Sequence, residues 1–456
     1  MQNLLDNMPK NMHIYSMLQR KMLQTLIHWK ENKKNECLLV KGARQIGKTF
    51  IIDKFGREFY KKYIYINFIE NPGYKAIFDG SLEAAEIHKR MSLYIPNLEF
   101  VSGGTLIFLD EIQECPNART ALKFLALDNK CDVIASGSLL GINYKEIPSI
   151  PVGYETQIEM HSLDFEEFLW AIGFGTEVVA HVKDYFDRPE TSGNSFQEKI
   201  PEPVHVQMMK YLREYIVVGG MPSVINRYLE TGNFGEVQKE QDKILTGFLD
   251  DIAKYASMAK KPKARNCFLS VPKQLAKEYK KFQFSVVERG ASARKYANSL
   301  EWLRDANLIR FCFNVSKPSF PLTAYERDDQ YKIYLNDIGL LVAMYGFEIK
   351  KEIISNTLTG PAKGGIYENL IADMLIKKGR RLNYYKADDN SQEIEFLLTG
   401  AGTIIPVEVK SGRGPSVSLD KMLTSPEIKA GYKLTAGNIG QMGKKITLPL
   451  YIAMFL

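Results

Sequence analysis

The chain has 456 residues, too many for one ordinary core and enough for about three domains. Its content, 45% apolar and 25% charged, is that of an ordinary globular protein, and it has no run of about 18 apolar residues that would cross a membrane. The net charge of +7 is uneven: between Lys260 and Phe320 fourteen Lys and Arg face four acids, a local net of +10, which leaves the remainder at −3. Such asymmetry fits either a nucleic-acid-facing surface or a solvated basic face that docks an acidic partner.

The first nine residues lack the apolar core of a secretory signal. The five cysteines (Cys37, Cys115, Cys131, Cys267 and Cys312) form no CxxC pair, so reduced thiols are expected. The six histidines lack metal spacing such as HExxH, which argues against zinc. The expectation is a cytoplasmic protein with no membrane partner.

Cys37–Val40 reads as a short buried parallel strand. Gly42-Ala43-Arg44-Gln45-Ile46-Gly47-Lys48-Thr49 follows and matches GxxxxGK[ST]; a helix then begins over Phe50–Phe55. In such a loop the glycines let amide N–H groups turn inward toward phosphate oxygens, and the helix N-terminus adds its positive dipole end. Lys48 supplies a charge to the β- and γ-phosphates of ATP, and Thr49 a hydroxyl to Mg²⁺. The four fixed positions would occur by chance in roughly one chain in sixty of this length, so a second signal is needed.

Thr105–Leu109 supplies that signal. It is an apolar run that ends in Asp110-Glu111, the strand-end acids such a site requires. Asp110 is expected to hold Mg²⁺ and Glu111 to polarise the attacking water. Tyr63–Asn67 is a further strand, and so is Asp132–Ala135, which ends in Ser136-Gly137-Ser138. Ser138 either senses the γ-phosphate and orients water or belongs to an ordinary turn. Strands alternating with helices imply an α/β, doubly wound parallel sheet with its ligand at the strand C-termini.

Beyond this sheet, residues 163–173 read as helical and aromatic-rich, and 178–200, around Pro189–Asn194, as an exposed insertion. Periodic apolar residues from His205 to Tyr255 predict helices interrupted at Gly219-Gly220-Met221-Pro222. Over Ser292–Arg304, Ala293, Tyr296, Ala297, Leu300 and Leu303 predict one apolar stripe, with Arg294, Lys295 and Asn298 off it. Tyr367–Lys378 reads as a helix carrying Glu368. Asn383–Lys386, Glu393–Leu398 and Thr403–Val409 read as three strands of one small sheet, with Glu395 on the second. Alternation puts Glu408 and Lys410 on one face.

Several of these stretches together resemble the prokaryotic AAA-type ATPases that carry a C-terminal DUF4143 region. The resemblance rests on the loop at 42–49, Leu109-Asp-Glu-Ile-Gln113, Ser138, the stretch Leu163–Leu169, Val218–Pro222, Tyr334–Leu340, Gly365–Asn369 and Pro406–Gly412. It implies a P-loop core over 1–160, a helical lid with an insertion over 161–260, a basic winged-helix-like domain over 261–345 and a small α/β, nuclease-like domain over 346–456. One departure is Tyr154 after Pro151-Val152-Gly153, where many relatives have arginine. Arg119, Arg213 and Arg227 are the remaining candidates for an arginine finger.

Within that resemblance, Arg294, Lys295 and Asn298 become candidate DNA contacts on a recognition helix, unless the helix only packs between domains. Glu368, Glu395, Glu408 and Lys410 resemble the PD-(D/E)xK nuclease pattern, with glutamate at Glu395 where aspartate is typical. There the acids would hold Mg²⁺ and the lysine would stabilise charge. The same fold kept only as a docking or DNA-binding platform is the alternative.

Two functions follow. One is a Mg-dependent ATPase, with ATP and Mg²⁺ as cofactors, coupling nucleotide state to a DNA-binding or nuclease-like C-terminal region. The other is an ATP-dependent signalling or scaffold switch acting on a protein partner or as a homo-oligomer, without nuclease activity.

Overall fold

A computed structural model describes residues 18–138, 153–187, 199–256, 260–400, 402–412 and 414–456. The chain forms two compact units, one built on Arg20–Ser162 and the other on Leu163–Arg304 and Leu308–Leu456.

The first unit runs α1 (Met22–Asn32), β1 (Cys37–Lys41), α2 (Lys48–Phe59), β2 (Lys62–Asn67), α3 (Ala84–Tyr94), β3 (Thr105–Asp110), α4 (Pro116–Asp128), β4 (Asp132–Gly137) and β5 (Glu155–Glu159). Its five strands are all parallel, in the order β2-β3-β4-β1-β5. Strands buried on both faces explain the unbroken apolar runs of the sequence. Cys37, Leu39, Ile107, Leu109, Val133 and Ala135 share one core with Ile87 and Met91 of α3 and Leu122 and Leu125 of α4. The alternate residues Leu38, Val40, Leu106, Phe108 and Ile134 are equally buried, and α2 packs on β2, β3 and β4. The sheet is therefore wound on both sides, and the chain order alternates across it as expected for a P-loop α/β fold.

The second unit begins with α5 (Phe165–Ala171), α6 (Thr176–Asp187), α7 (Glu202–Val218), α8 (Pro222–Thr231), α9 (Phe234–Tyr255), α10 (Lys261–Leu275), α11 (Phe284–Val287) and α12 (Ala293–Asp305). It continues with β6 (Ile309–Val315), β7 (Glu326–Leu335), α13 (Ile338–Tyr345), α14 (Phe347–Ile354), α15 (Gly360–Lys377), β8 (Asn383–Lys386), β9 (Glu393–Ile394), β10 (Phe396–Gly400), β11 (Thr403–Val409), α16 (Val417–Leu423), β12 (Gly431–Thr435), β13 (Gly440–Met442) and β14 (Lys445–Pro449). Two mixed sheets result, β7-β6-β8-β9 and β10-β11-β12-β14-β13. No helix among the described residues is long and apolar enough to cross a membrane, and the five cysteines are buried thiols.

Three expectations are corrected. The first half of the supposed insertion is α6, because Val179, Val182 and Tyr185 recur at helical spacing and bury one face; Pro189 lies beyond its end, and 188–198 fall outside the described residues. The buried stripe of α12 is Tyr296, Ser299, Leu300, Trp302 and Leu303, while Ala293 and Ala297 are exposed, since a methyl group gains little from burial. The three C-terminal strands do not form one sheet: β8 pairs with β6 on one side and with β9 on the other, whereas β10 pairs with β11. Glu395 sits at the break between β9 and β10.

Four of the sequence stretches meet inside the second unit. Leu163 N–H donates to Gly220 O at 2.8 Å, and Gly220 N–H to Asp337 Oδ2 at 2.8 Å. A side chain at Gly220 would put its Cβ 2.0 Å from Leu163 O, so only glycine allows this approach. Tyr215 Oη and Lys377 Nζ both donate to Leu163 O, at 2.9 and 3.0 Å. Asn369 bonds both the N–H and the carbonyl of Leu335, at 2.7 and 3.1 Å. Asp164 and Glu167 close a capping box at the start of α5. These stretches are packing joints that satisfy buried polar groups.

Candidate nucleotide-binding site

The loop between β1 and α2 takes conformations that side chains resist. Gly42 has φ 151°, and a Cβ there would lie 2.2 Å from Met160 O; Gln45 and Gly47 have φ 63° and 90°. α2 starts at Lys48, so its unpaired N-terminal amides open onto this loop. The loop is stapled by a residue that sequence reasoning missed. Arg20, ahead of α1 and buried, donates to Ile46 O at 2.9 Å and to His161 O at 2.7 Å.

Lys48 Nζ donates to the carbonyls of Gly42 (3.0 Å) and Ala43 (2.7 Å). Burial pulls its ammonium down to about 8, against the raising influence of Glu111 and Asp110. Thr49 Oγ1 donates to Asp110 Oδ2 at 2.9 Å, joining the two sequence signals directly. Asp110 Oδ2 also accepts from Tyr65 Oη at 3.1 Å, and Tyr65 Oη in turn accepts from Asn67 Nδ2 at 3.0 Å. Asp110 Oδ1 accepts from Ser136 Oγ and from Glu111 N–H (3.0 Å). The buried aspartate is thus held in one orientation by residues of α2, β2 and β4.

Glu111 has φ 53°, left-handed for a non-glycine residue, so strain is held at the strand end beside the loop. Its Oε2 accepts from Gln113 Nε2 at 2.6 Å and from Ser138 Oγ at 3.5 Å. Gln113 was legible in principle, two residues past the acid pair; Tyr65 and Arg20 carry no local signal. Arg119 is withdrawn as an arginine finger. It is buried within the first unit and ion-paired with Glu155 through both terminal nitrogens. Tyr154 is described, whereas Pro151 and Val152 fall outside the described residues.

In the second unit Arg294, Lys295 and Asn298 are all exposed on α12. Glu368, Glu395, Glu408 and Lys410 come together, but not alone. Glu368 Oε1 meets Lys280 Nζ at 2.6 Å, and its Oε2 meets Lys332 Nζ at 3.5 Å and accepts from Tyr334 Oη at 3.2 Å. Lys332 also pairs with Glu393 at 2.8 Å. Glu395 Oε2 accepts from Val409 N–H at 3.2 Å, and Glu408 Oε1 meets Lys410 Nζ at 2.9 Å. Lys280, Lys332 and Glu393 went unnoticed in the sequence; a lysine in the apolar run Lys332-Ile333-Tyr334-Leu335 was the one available hint.

Three family models match the chain: an AAA domain over residues 34–169, a domain of unknown function, DUF8612, over 209–351, and a domain of unknown function, DUF4143, over 363–452. The uncharacterized protein MJ1544 of Methanocaldococcus jannaschii is 24% identical over 383 residues, which span 80% of this chain and 73% of that protein. Among solved structures, the Walker-type ATPase paby2304 of Pyrococcus abyssi is 15% identical, with 75% of this chain and 99% of that one covered at a TM-score of 0.42. AMPPCP-bound DnaA from Aquifex aeolicus is 12% identical, with coverages of 64% and 89% and a TM-score of 0.27. An AAA domain that contains both the phosphate loop and the acid strand is present and is followed by a DUF4143 domain, which matches the make-up of an AAA-type P-loop ATPase with a C-terminal DUF4143 region.

Proposed function

We propose that the chain is a Mg-dependent ATPase whose nucleotide state governs how its C-terminal region engages DNA. The observation that carries the ATPase reading is the 2.9 Å contact between Thr49 Oγ1 and Asp110 Oδ2, with Glu111 next in sequence. A hydroxyl and a carboxylate oxygen side by side at a helix start are the hard donors that Mg²⁺ prefers. Bound there, the ion would neutralise charge on the phosphates.

The loop amides at 42–47 and the α2 N-terminus cradle the phosphates in this reading, and Lys48 exchanges its two carbonyl partners for phosphate oxygens. Glu111 accepts the proton of the attacking water. Gln113 and Ser138 hold that carboxylate until substrate arrives.

The DNA part rests on the exposed Arg294, Lys295 and Asn298 of α12 and on the basic balance of 260–320. Three helices followed by the antiparallel pair β6–β7 resemble a winged helix, with α12 as its reading helix. ATP turnover with and without duplex DNA tests both parts. Lys48→Ala is expected to abolish turnover, and DNA to stimulate the unmodified chain but not the Arg294→Ala/Lys295→Ala variant. A rate indifferent to DNA would favour a switch acting on protein partners.

A further inference from the structure

The nuclease-like pattern asks the acids of the second unit to hold a divalent metal, and the arrangement of those acids does not fit that demand. Both oxygens of Glu368 already face donors: Lys280 on one, Lys332 and Tyr334 on the other. Lys332 is 1% exposed. Strand alternation on β7 turns it to the same side as Tyr334, and its ammonium lies 4.8 Å from the centre of the Tyr384 ring. Glu393 takes Lys332 at 2.8 Å and Lys386 at 3.1 Å. Glu408 takes Lys410 on one oxygen. The carboxylates of Glu368, Glu393 and Glu408 are thus met by the four ammonium groups of Lys280, Lys332, Lys386 and Lys410, while Glu395 accepts from the Val409 N–H. Among the described residues no three acidic, histidine or cysteine side chains are disposed to hold a metal ion.

The electrostatics agree with this geometry. Burial works against charge on Lys332, but Glu368 and Glu393 outweigh it and hold the ammonium well above its usual range. Burial likewise opposes charge on Glu368, yet Lys332 and Lys280 keep it below the usual carboxylate range. A divalent ion bound to Glu368 would have to displace the ammonium groups of Lys280 and Lys332 from its two oxygens, leaving Lys332 to Glu393.

We propose that Lys332, with Lys280, is a built-in counter-ion standing where a nuclease-like centre would carry its metal, so that this cluster binds no Mg²⁺ or Mn²⁺ and cuts no nucleic acid. Lys332 is then the residue whose loss opens the carboxylates to a cation. Glu408 Oε2, buried without a hydrogen-bond donor among the described residues, is the oxygen best placed to gain from one. The inference does not depend on the ATPase reading.

The test is Mn²⁺ titration of the full chain, followed by electron paramagnetic resonance, in a Thr49→Ala/Asp110→Asn background that silences the phosphate loop. With Lys332 present, no Mn²⁺ is expected to bind at the cluster. Lys332→Met is expected to create a site tighter by about tenfold or more, which Glu368→Gln removes again. Binding in the Lys332-containing background that Glu408→Gln or Glu368→Gln abolishes would overturn the proposal. So would a folded Lys332→Met chain that gains no site. Should that variant not fold, Lys280→Met frees Glu368 Oε1 from a less buried position and must show the same gain.

Discussion

The guanidinium of Arg20 donates to the carbonyl of Ile46 at 2.9 Å and, through its other terminal nitrogen, to that of His161 at 2.7 Å. It ties the phosphate loop to the segment following β5. Arg20→Ala removes two charge-assisted bonds, the one to Ile46 buried and the one to His161 partly so, a loss of about 1–3 kcal/mol for each. We expect ATP affinity to fall about tenfold or more, the factor that corresponds to 1.4 kcal/mol. Fluorescent-nucleotide titration checks this beside a thermal melt without nucleotide. A lower melting temperature with unchanged affinity would reduce Arg20 to a fold staple.

Glu111 and Asp110 should separate cleanly in kinetics. Glu111→Gln keeps the shape and the Gln113 contact but cannot accept a proton. ATP binding is expected to persist while turnover falls about a hundredfold or more. Asp110→Asn disturbs an oxygen pair that accepts from Thr49, Tyr65, Ser136 and the Glu111 amide. It is expected to weaken Mg-dependent binding itself. Equal loss of binding in both variants would contradict the division of roles.

Lys48 makes nucleotide binding pH-dependent. Its folded value of about 8 lies below the ordinary 10.5, because the buried ammonium has lost water. Between those values the unfolded chain carries the proton and the folded, nucleotide-free chain does not, so stability rises with pH across that window. Phosphate oxygens restore the ammonium, so ATP binding should take up a proton and weaken as pH rises above about 8. Titration calorimetry at about pH 8.5 in buffers of different ionisation enthalpy measures that uptake. Its absence in the unmodified chain would refute the assignment.

Arg119 and Glu155 form a buried ion pair, so losing one partner is worse than losing both. Arg119→Met leaves Glu155 uncompensated and should cost about 3–5 kcal/mol in urea unfolding, while Arg119→Met/Glu155→Leu should recover much of the loss. An arginine acting on a neighbour's phosphate would instead leave stability nearly unchanged.

Glu395 should show in the pH profile of stability. Burial first, then Glu368, push its carboxyl up to about 7 from 4.5. Between these values the folded chain holds a proton that the unfolded chain has released, so stability from this group falls as pH rises through that window. Glu395→Gln removes the dependence while its amide oxygen can still accept from Val409. Relative to the unmodified chain it should gain stability on going from about pH 5 to pH 8, as read by denaturant unfolding. A constant difference would mean that Glu395 ionises as an ordinary surface acid.

The phosphate loop and the acid strand were legible because their signals are contiguous. Eight residues dictate the backbone turns of 42–49, and the four apolar residues Leu106–Leu109 deliver Asp110 and Glu111 to the end of a buried strand. The central strands β1, β3 and β4 were legible for the same reason, since they are buried on both faces and read as apolar runs, whereas the edge strand β5, polar and partly exposed, gave no such signal. Helix α6 was missed because the turn-forming residues of Pro189–Asn194 outweighed its three well-spaced apolar residues. The partition of β8, β9 and β10 between two sheets was hidden because strand pairing is a long-range choice that no local pattern encodes.

Glu368, Glu395, Glu408 and Lys410 mark the boundary between the two kinds of knowledge. Residue types and alternation were enough to bring Glu408 and Lys410 to one face. Whether those acids face a metal or an ammonium was decided by β7, whose Lys332 is 36 residues from Glu368 in the chain and 3.5 Å from it in space. Arg20 and Ile46, 26 residues apart, repeat the lesson at the phosphate loop. Local sequence dictates which chemical groups an element presents, because backbone geometry is a nearest-neighbour property. Their partners, and hence their charge state and reach, follow only from how distant elements pack.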